Sequence, residues 1–391
     1  MSRDNFIPYG RHSIDPSDIE ACVKSLKGDF ISRGPLVAEF EKKIADYCGA
    51  RFGVAFNSGT SALQASYFAA EICRYDRLFT SPNTFAGTIV GALNLEVTPT
   101  FIDIDRKTGN IDLHSLAYNL NQPSSRGRDF IVPVHFSGIP VDMEMIGSLI
   151  SDPQTIVIED AAHALGSSYK NGVKVGSCFW SHMTVFSFHP NKNITTGEGG
   201  MVMTNDENLY NRLLLFRNNG IERHEDRISQ PLTPWYYEVQ EATGNFNLTE
   251  FQAAIGLSQL SRLDNMVARR RNLVERYRTQ LSHRNHISLF DSSYDKETAY
   301  HLFVAQINFQ ALGKSRQTVM EKLFDAGIGS QVHFIPLYRH PFISRKSGDI
   351  AEYFPEMESY YQQALSLPLH CEMDEGGVDY IVETLLKILK N

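Results

Sequence analysis

The regular alternation of short β-prone runs with helical stretches limits this chain more than any other feature. Residues 52–56, 78–81, 97–103, 130–136, 155–158 and 183–188 read as strands, and helical patterns fall at 62–71, in the stretch ending at Leu93, between 103 and 130, and at 209–218. Strands that alternate with helices imply βαβ units and a largely parallel sheet. Ahead of them, residues 14–26 read as a helix capped by Asp15, with Ile19, Cys22, Val23 and Leu26 as its apolar face. A second helical pattern covers 37–47.

The pattern changes late in the chain. Thr249 and Gln252 form a capping box that opens a long helix, with Phe251, Ile255, Leu260, Leu263, Val267, Val274 and Tyr277 as its stripe. Beyond it lie a strand at 301–309, a helix capped by Ser315 and stopped at Gly327, a strand at 329–334 and a last helix at 375–389. This predicts an α/β fold with a large, mostly parallel sheet domain, residues 1–265, and a smaller C-terminal α+β domain, residues 266–391.

Bulk properties exclude several classes. Net charge is −8 and no strongly basic block occurs, which argues against nucleic acid as a partner. No apolar run approaches the ~20 residues that a membrane span needs. The N-terminal MSRDNFIPYG lacks the apolar core of a leader peptide. The five cysteines form no CxxC pair, which fits reduced thiols rather than a disulfide framework or a zinc site. A cytoplasmic protein without a metal is the expectation.

Three stretches carry chemistry. In FNSGTSAL, residues 56–63, a strand turns through small residues into a helix, so backbone N–H groups and the helix dipole face whatever binds there. It is an anion site without a Walker pattern, and Ser58 and Thr60 also read as plain helix caps. In IEDAAHALGS, Asp160 ends a buried strand, where parallel sheets place ligands. Its other reading is a cap for a following helix, and that of His163 is a satisfied core histidine. In MTVFSFHPNKNITTGEGGMVM, residues 183–203, Lys192 sits just past a strand end, before a glycine-rich turn and a returning strand. Ser187 adds a hydroxyl. Phe85 occupies the loop after strand 78–81, where an ordinary core phenylalanine is the plain alternative. The polar insert 221–244 holds Trp235, Tyr236 and Tyr237, which favour order.

Taken in order, FNSGTSAL, IEDAAHALGS and SFHPNKNITTGEGG resemble the sugar-nucleotide aminotransferases of the DegT/DnrJ type, over about residues 6–388. The resemblance implies the fold-type-I architecture of enzymes that use pyridoxal 5′-phosphate. Lys192 then forms the covalent link to the cofactor, and Asp160 stands by the pyridine nitrogen, where a carboxylate strengthens the electron sink. His163 lies on the ring's hydroxyl side. Gly59, Thr60 and Ser187 hold the phosphate, and Phe85 stacks on the ring. Asn245 reaches the phosphate of the other subunit, which implies a homodimer with shared active sites. His333 and Tyr338, in QVHFIPLY, face the substrate.

Relatives that act as sugar dehydratases carry histidine at the lysine position, so Lys192 favours amino transfer. Asn219 replaces a frequent histidine, and Asn247 a frequent arginine, which leaves the group that binds the donor carboxylate unassigned. The implied partners are glutamate and a nucleotide-linked keto sugar. Likeness in SFHPNKNITTGEGG, PWYYEVQE and VHFIPLY leans to members that serve pseudaminic acid synthesis and aminate the 4-keto carbon of a UDP-linked 2-acetamido-2,6-dideoxy sugar. Perosamine-type or amino-arabinose-type sugars, a sugar dehydratase and a non-catalytic cofactor-binding protein stay open.

Overall fold

The computed structural model describes residues 6–122, 127–231 and 233–390, so the first half of the N-terminal stretch read above lies outside the described residues. Seven strands form the main sheet: β1 (Phe52–Phe56), β2 (Arg77–Thr80), β3 (Pro99–Phe101), β4 (Asp129–Val132), β5 (Ile156–Asp160), β6 (Met183–Ser187) and β7 (Gly200–Thr204). Their order is β1-β7-β6-β5-β4-β2-β3. From β3 through β6 every pair is parallel, while β7 runs antiparallel to both β6 and β1.

Both faces of this sheet are covered, which is why its strands are near-continuous apolar runs. Ala55, Phe79, Ile131, Val157, Phe186 and Met201 point into one core, with Phe40 and Ile44. Their neighbours Val54, Leu78, Phe130, Ile158, Val185 and Val202 point into the other, with Leu63 and Tyr67. The two-residue period of a strand sorts them.

The register brings β6, β7 and β1 level at one edge, where Gly200 pairs with Ser187 on one side and Phe56 on the other. A Cβ at Gly200 would collide with the Ser58 carbonyl, so only glycine lets the turn after β1 lie this close to the end of β6.

A ribbon of β8 (Ile221–Glu222) and β9 (Glu238–Val239) closes the polar insert. Within it Ser229 N and the Tyr236 hydroxyl donate to the Glu238 carboxylate, while Trp235 is 76% exposed. The last part of the chain builds an antiparallel sheet of β10 (Ile287–Leu289), β11 (Phe303–Ile307) and β12 (Ala364–Leu367). Helices Leu263–Leu281, Arg316–Asp325 and Glu375–Lys390 pack their apolar residues against it. The Ser315 cap is present, with Thr318 N donating to its hydroxyl. Residues near the N-terminus join this part: Ile7 N donates to Gly327 O (2.8 Å), and Leu369 N to Tyr9 O (3.0 Å).

Three expectations are corrected. Helix Pro16–Leu26 has its Asp15 cap, but its apolar residues face outward, with Ile19 58% exposed. Its inward side is polar, because buried Asp18 pairs with Arg262 and accepts from Gln259. The single long helix is two, Glu250–Leu260 and Leu263–Leu281, broken where Arg262 turns to Asp15 and Asp18. Residues 329–334 form no strand. Gln331 makes one isolated bridge, to Ser366, and Phe334 N turns to the Asn83 side chain (3.2 Å). Among the described residues no helix is long and apolar enough to cross a membrane.

Helix Pro35–Cys48 begins at Gly34, which has no side chain to cap it. The buried carboxylate of Glu250 does so from far along the chain, accepting from Gly34 N, Leu36 N and Val37 N at 2.9, 2.8 and 3.2 Å. A negative group at a helix N-terminus satisfies orphan donors and the dipole together. Glu250→Gln should therefore cost roughly 1–3 kcal/mol in chemical denaturation. Wild-type stability in this variant would show that the three bonds contribute nothing net.

Candidate active site

The carboxyl ends of β1, β2, β5 and β6 meet along one edge of the sheet, and the residues singled out above gather there. Lys192 follows β6 on a loop tied down on both sides. Asn191 Nδ2 donates to the Tyr9 hydroxyl, Asn193 Nδ2 to Leu165 O, and Thr195 Oγ1 to Phe188 O, each at 2.9 Å. The residue keeps some surface, but its amine is surrounded by protein. Burial pulls its pKa down to about 8, against the opposing pull of the Asp160 charge. Removing water from an ammonium disfavours the charged form.

Asp160 is the last residue of β5 and is buried. Its Oδ2 accepts from Thr88 Oγ1 (2.6 Å) and its Oδ1 from Ala162 N (3.1 Å). No helix starts at Ala161, so the capping alternative does not hold. Glu159, one residue earlier, points to the opposite face. It accepts from His135 Nε2 (2.7 Å), Thr184 Oγ1 (2.9 Å) and the hydroxyls of Tyr169 and Ser181. Burial works against its charge, yet these donors hold it below the usual glutamate range. Val141 N donates to His135 Nδ1 (2.9 Å), which leaves the imidazole proton on Nε2, toward Glu159.

The turn after β1 behaves as an anion site and as a cap at once. Ser58 caps helix Gly59–Ala69. A Cβ on Gly59 would sit 2.9 Å from Ser187 Cβ and 3.1 Å from its Oγ, so the helix start and the Ser187 hydroxyl share one cradle. A Cβ on Gly87 would meet Thr60 Oγ1 at 3.0 Å and Phe85 Cδ1 at 3.3 Å, which puts Thr60 and Phe85 side by side. Phe85 is 64% exposed, so the core reading fails and its ring is free to cover a flat group.

Three buried histidines close over Lys192. The rings of His163 and His301 lie 4.3 Å apart, and Ser137 N donates to His163 Nδ1. His333 Nδ1 bonds the Ser366 hydroxyl at 2.8 Å. Burial first, and the Lys192 charge second, keep all three neutral; His333 is pushed down to about 3 and the other two well below the ordinary histidine value.

Two of the expected residues lie in other surroundings. Tyr338 stacks on Phe354 beside Phe101, and its hydroxyl donates to Glu358 Oε1 (2.8 Å). Asn245 is exposed and its Oδ1 accepts from Asn247 Nδ2 (2.7 Å). Thr88 and His301 belong to the site without having been singled out, while Glu159 braces the end of β5 from the opposite face.

These residues fit the phosphorylated pyridine aldehyde that the sequence suggests. A helix N-terminus with Thr60 and Ser187 suits its phosphate, Asp160 a protonated ring nitrogen, Phe85 the ring, and a Lys192 amine that sheds its proton near neutrality suits the aldehyde. In cofactor-free protein, acylation of Lys192 by an amine reagent should rise with pH and level off above about 8. The sign follows from the neutral amine being the nucleophile. A rate still climbing at pH 10, as for a solvated lysine, would show that the amine is not desolvated.

Comparison with known proteins agrees with this geometry. The model of the DegT/DnrJ/EryC1/StrS aminotransferase family matches residues 12–386. The chain is 36% identical to the spore coat polysaccharide biosynthesis protein SpsC of Bacillus subtilis, over 100% of this chain and 99% of that one. It is 34% identical to the UDP-4-amino-4,6-dideoxy-N-acetyl-beta-L-altrosamine transaminase of Campylobacter jejuni, covering 98% of each. Among solved structures, Helicobacter pylori PseC, an aminotransferase of pseudaminic acid biosynthesis, superposes with a TM-score of 0.89 at 28% identity, over 98% of this chain and 99% of that one. A putative sugar aminotransferase of Streptococcus pneumoniae, solved in its PMP form, superposes with a TM-score of 0.87 at 25% identity, over 98% of this chain and 99% of that one. The chain belongs to the DegT/DnrJ/EryC1/StrS aminotransferase family and is a pyridoxal 5′-phosphate-dependent sugar-nucleotide aminotransferase.

Proposed function

We propose that the chain moves the amino group of glutamate to the 4-keto carbon of a UDP-linked 2-acetamido-2,6-dideoxy sugar, in the cytoplasm, as a step toward pseudaminic acid. The observation that carries the transfer is the enclosure of the Lys192 amine beside the Asp160 carboxylate and the buried His163, His301 and His333. The choice of sugar is supported by the likeness to the Campylobacter jejuni transaminase and to Helicobacter pylori PseC.

When bound, the cofactor supplies an electron sink and carries the amino group between the two substrates. Asp160, held by Thr88 and Ala162 N, would keep a proton on the ring nitrogen. Lys192 Nζ is the base that removes the α-proton of the donor and the acid that returns it at the transfer carbon. Gly59, Thr60 and Ser187 would hold the phosphate, and the neutral histidines keep competing positive charge away from the amine. Residues 1–265 would form the cofactor-binding part and residues 266–391 the part that closes over it.

Borohydride reduction of the purified enzyme should fix the cofactor label on Lys192, and Lys192→Ala should transfer no amine. A panel of 4-keto nucleotide sugars incubated with glutamate should give an aminated product, read by mass, for the proposed substrate. A label on another lysine overturns the assignment of Lys192. A dehydrated product, or none from any sugar, overturns the transfer.

We further propose a homodimer with shared sites. Ile19, Val23, Leu26, Phe30 and Ile31 are exposed apolar residues, and Asn245 is exposed and bonded to Asn247 rather than to the groups around Lys192. A reciprocal interface buries such side chains and exchanges a residue such as Asn245. Asn245→Asp and Lys192→Ala should each be nearly inactive alone. After subunit exchange, each mixed dimer has one intact site, so activity should recover to roughly a quarter of wild type with random pairing. A mixture that stays inactive after exchange is confirmed by mass would place Asn245 in its own subunit's site.

A further inference from the structure

We propose that Thr88, backed by Thr84, is a positioning residue that sets the Asp160 carboxylate against the ring nitrogen of the cofactor; this rests on the reading of Asp160 as that nitrogen's partner. The three buried side chains form one line. Thr84 Oγ1 and Thr88 Oγ1 lie 2.6 Å apart, and Thr88 Oγ1 donates to Asp160 Oδ2 at 2.6 Å. A carboxylate only accepts, so the Thr88 proton is committed to Asp160 and the Thr84 proton runs to Thr88. Both O–H groups then point the same way, toward the carboxylate. Ala162 N, in the loop after β5, donates to the other oxygen at 3.1 Å. One donor on each oxygen, from two separate parts of the chain, fixes the plane of the group and leaves each oxygen able to accept once more.

Threonines at the start of a helix ordinarily cap it. These two do not. Helix Gly87–Asn94 has no side-chain cap, and its first N–H groups stay with the backbone: Thr88 N donates to Phe85 O, and Ile89 N and Val90 N to Ala86 O, each at 3.1 Å. The hydroxyls serve β5 instead. The backbone of Thr88 is itself held, because the buried Tyr67 hydroxyl donates to Thr88 O at 2.5 Å. A Cβ on Gly91 would collide with Tyr67 Cδ2 at 2.8 Å and Gln64 Cα at 2.9 Å, so this helix lies close against helix Gly59–Ala69, which starts at the phosphate cradle. Residues 84–88 therefore reach three parts of one site. Phe85 offers a ring face, Gly87 stands against Thr60, and Thr88 holds Asp160. Position passes from the phosphate helix through Tyr67 and Thr88 to the carboxylate, and a ring seated by its phosphate meets Asp160 in register.

Two probes separate this role from plain packing: pyridoxal 5′-phosphate, and its analogue with C–H in place of the ring nitrogen. Thr88→Val keeps the shape of the side chain and removes the hydroxyl. In equilibrium binding to cofactor-stripped enzyme, pyridoxal 5′-phosphate should bind Thr88→Val more weakly than wild type by roughly 10-fold or more, and the analogue should bind both proteins within about 2-fold of each other. In the loaded enzyme kcat for amino transfer should fall by a similar factor, with KM for the keto sugar little changed. Thr88→Ser should recover both. Thr84→Val leaves the Thr88 bond to Asp160 in place and should show the same pattern with a loss of roughly 3-fold. An equal loss for the two probes makes Thr88 a packing residue and overturns the proposal. Unchanged affinity in Thr88→Val overturns it too, as does a Thr88→Ser no better than Thr88→Val. If circular dichroism shows Thr88→Val unfolded, Thr84→Val carries the same comparison. Asp160→Asn tests the reading beneath: it should lose the preference for the natural cofactor over the analogue. If that preference survives in Asp160→Asn, the assignment of Asp160 fails and Thr88 with it; if it is lost there and kept in Thr88→Val, Thr88 alone fails.

Discussion

Desolvation of one amine is the condition on which the chemistry of this molecule depends. In water Lys192 would keep its proton well above neutral pH; enclosed, it gives it up near 8. The enclosure is assembled from the whole length of the chain. His163 follows the main sheet, His301 leads into β11 and His333 is fixed to Ser366 beside β12. The protonation state of the lysine is therefore a property of the two sheets held together.

The neighbouring carboxylates of β5 show how a strand divides labour. Successive side chains of a strand point to opposite faces, so Glu159 and Asp160 share a backbone segment and no surroundings. Glu159 is satisfied by four donors on one face and fixes the strand end to His135, Tyr169, Ser181 and Thr184. Asp160, on the other face, has a hydroxyl and one N–H and keeps its charge in play toward Lys192. A single residue of slippage along β5 would exchange the two.

The sequence made some of this legible and concealed the rest for definite reasons. β1, β5 and the β6–β7 hairpin stand out because each is a β-branched or aromatic run that stops at small or polar residues. Asp160 and Ser187 end their strands and Gly59 and Lys192 lie in the turns that follow, which made them visible, and the family resemblance joined them into one site. Helix Pro16–Leu26 misled because periodicity tells that one face is apolar and not which face is covered; Asp18 found Arg262 instead. Residues 329–334 look β-prone but turn away from the sheet at the Asn83 side chain. Thr88 gave no signal, because its bond to Asp160 joins residues 72 apart.

The stitching of Ile7 and Tyr9 to Gly327 and Leu369 bears on how the molecule comes to exist. Those backbone partners are translated long after residues 7 and 9, so the segment leaves the ribosome well before it has anything to pair with. Contacts of such sequence separation form late, because the loop-closure entropy must be met first. The tyrosine that anchors Asn191 beside the lysine arrives on that same segment. The main sheet can condense before that pairing, whereas a finished catalytic loop has to await residues 327 and 369.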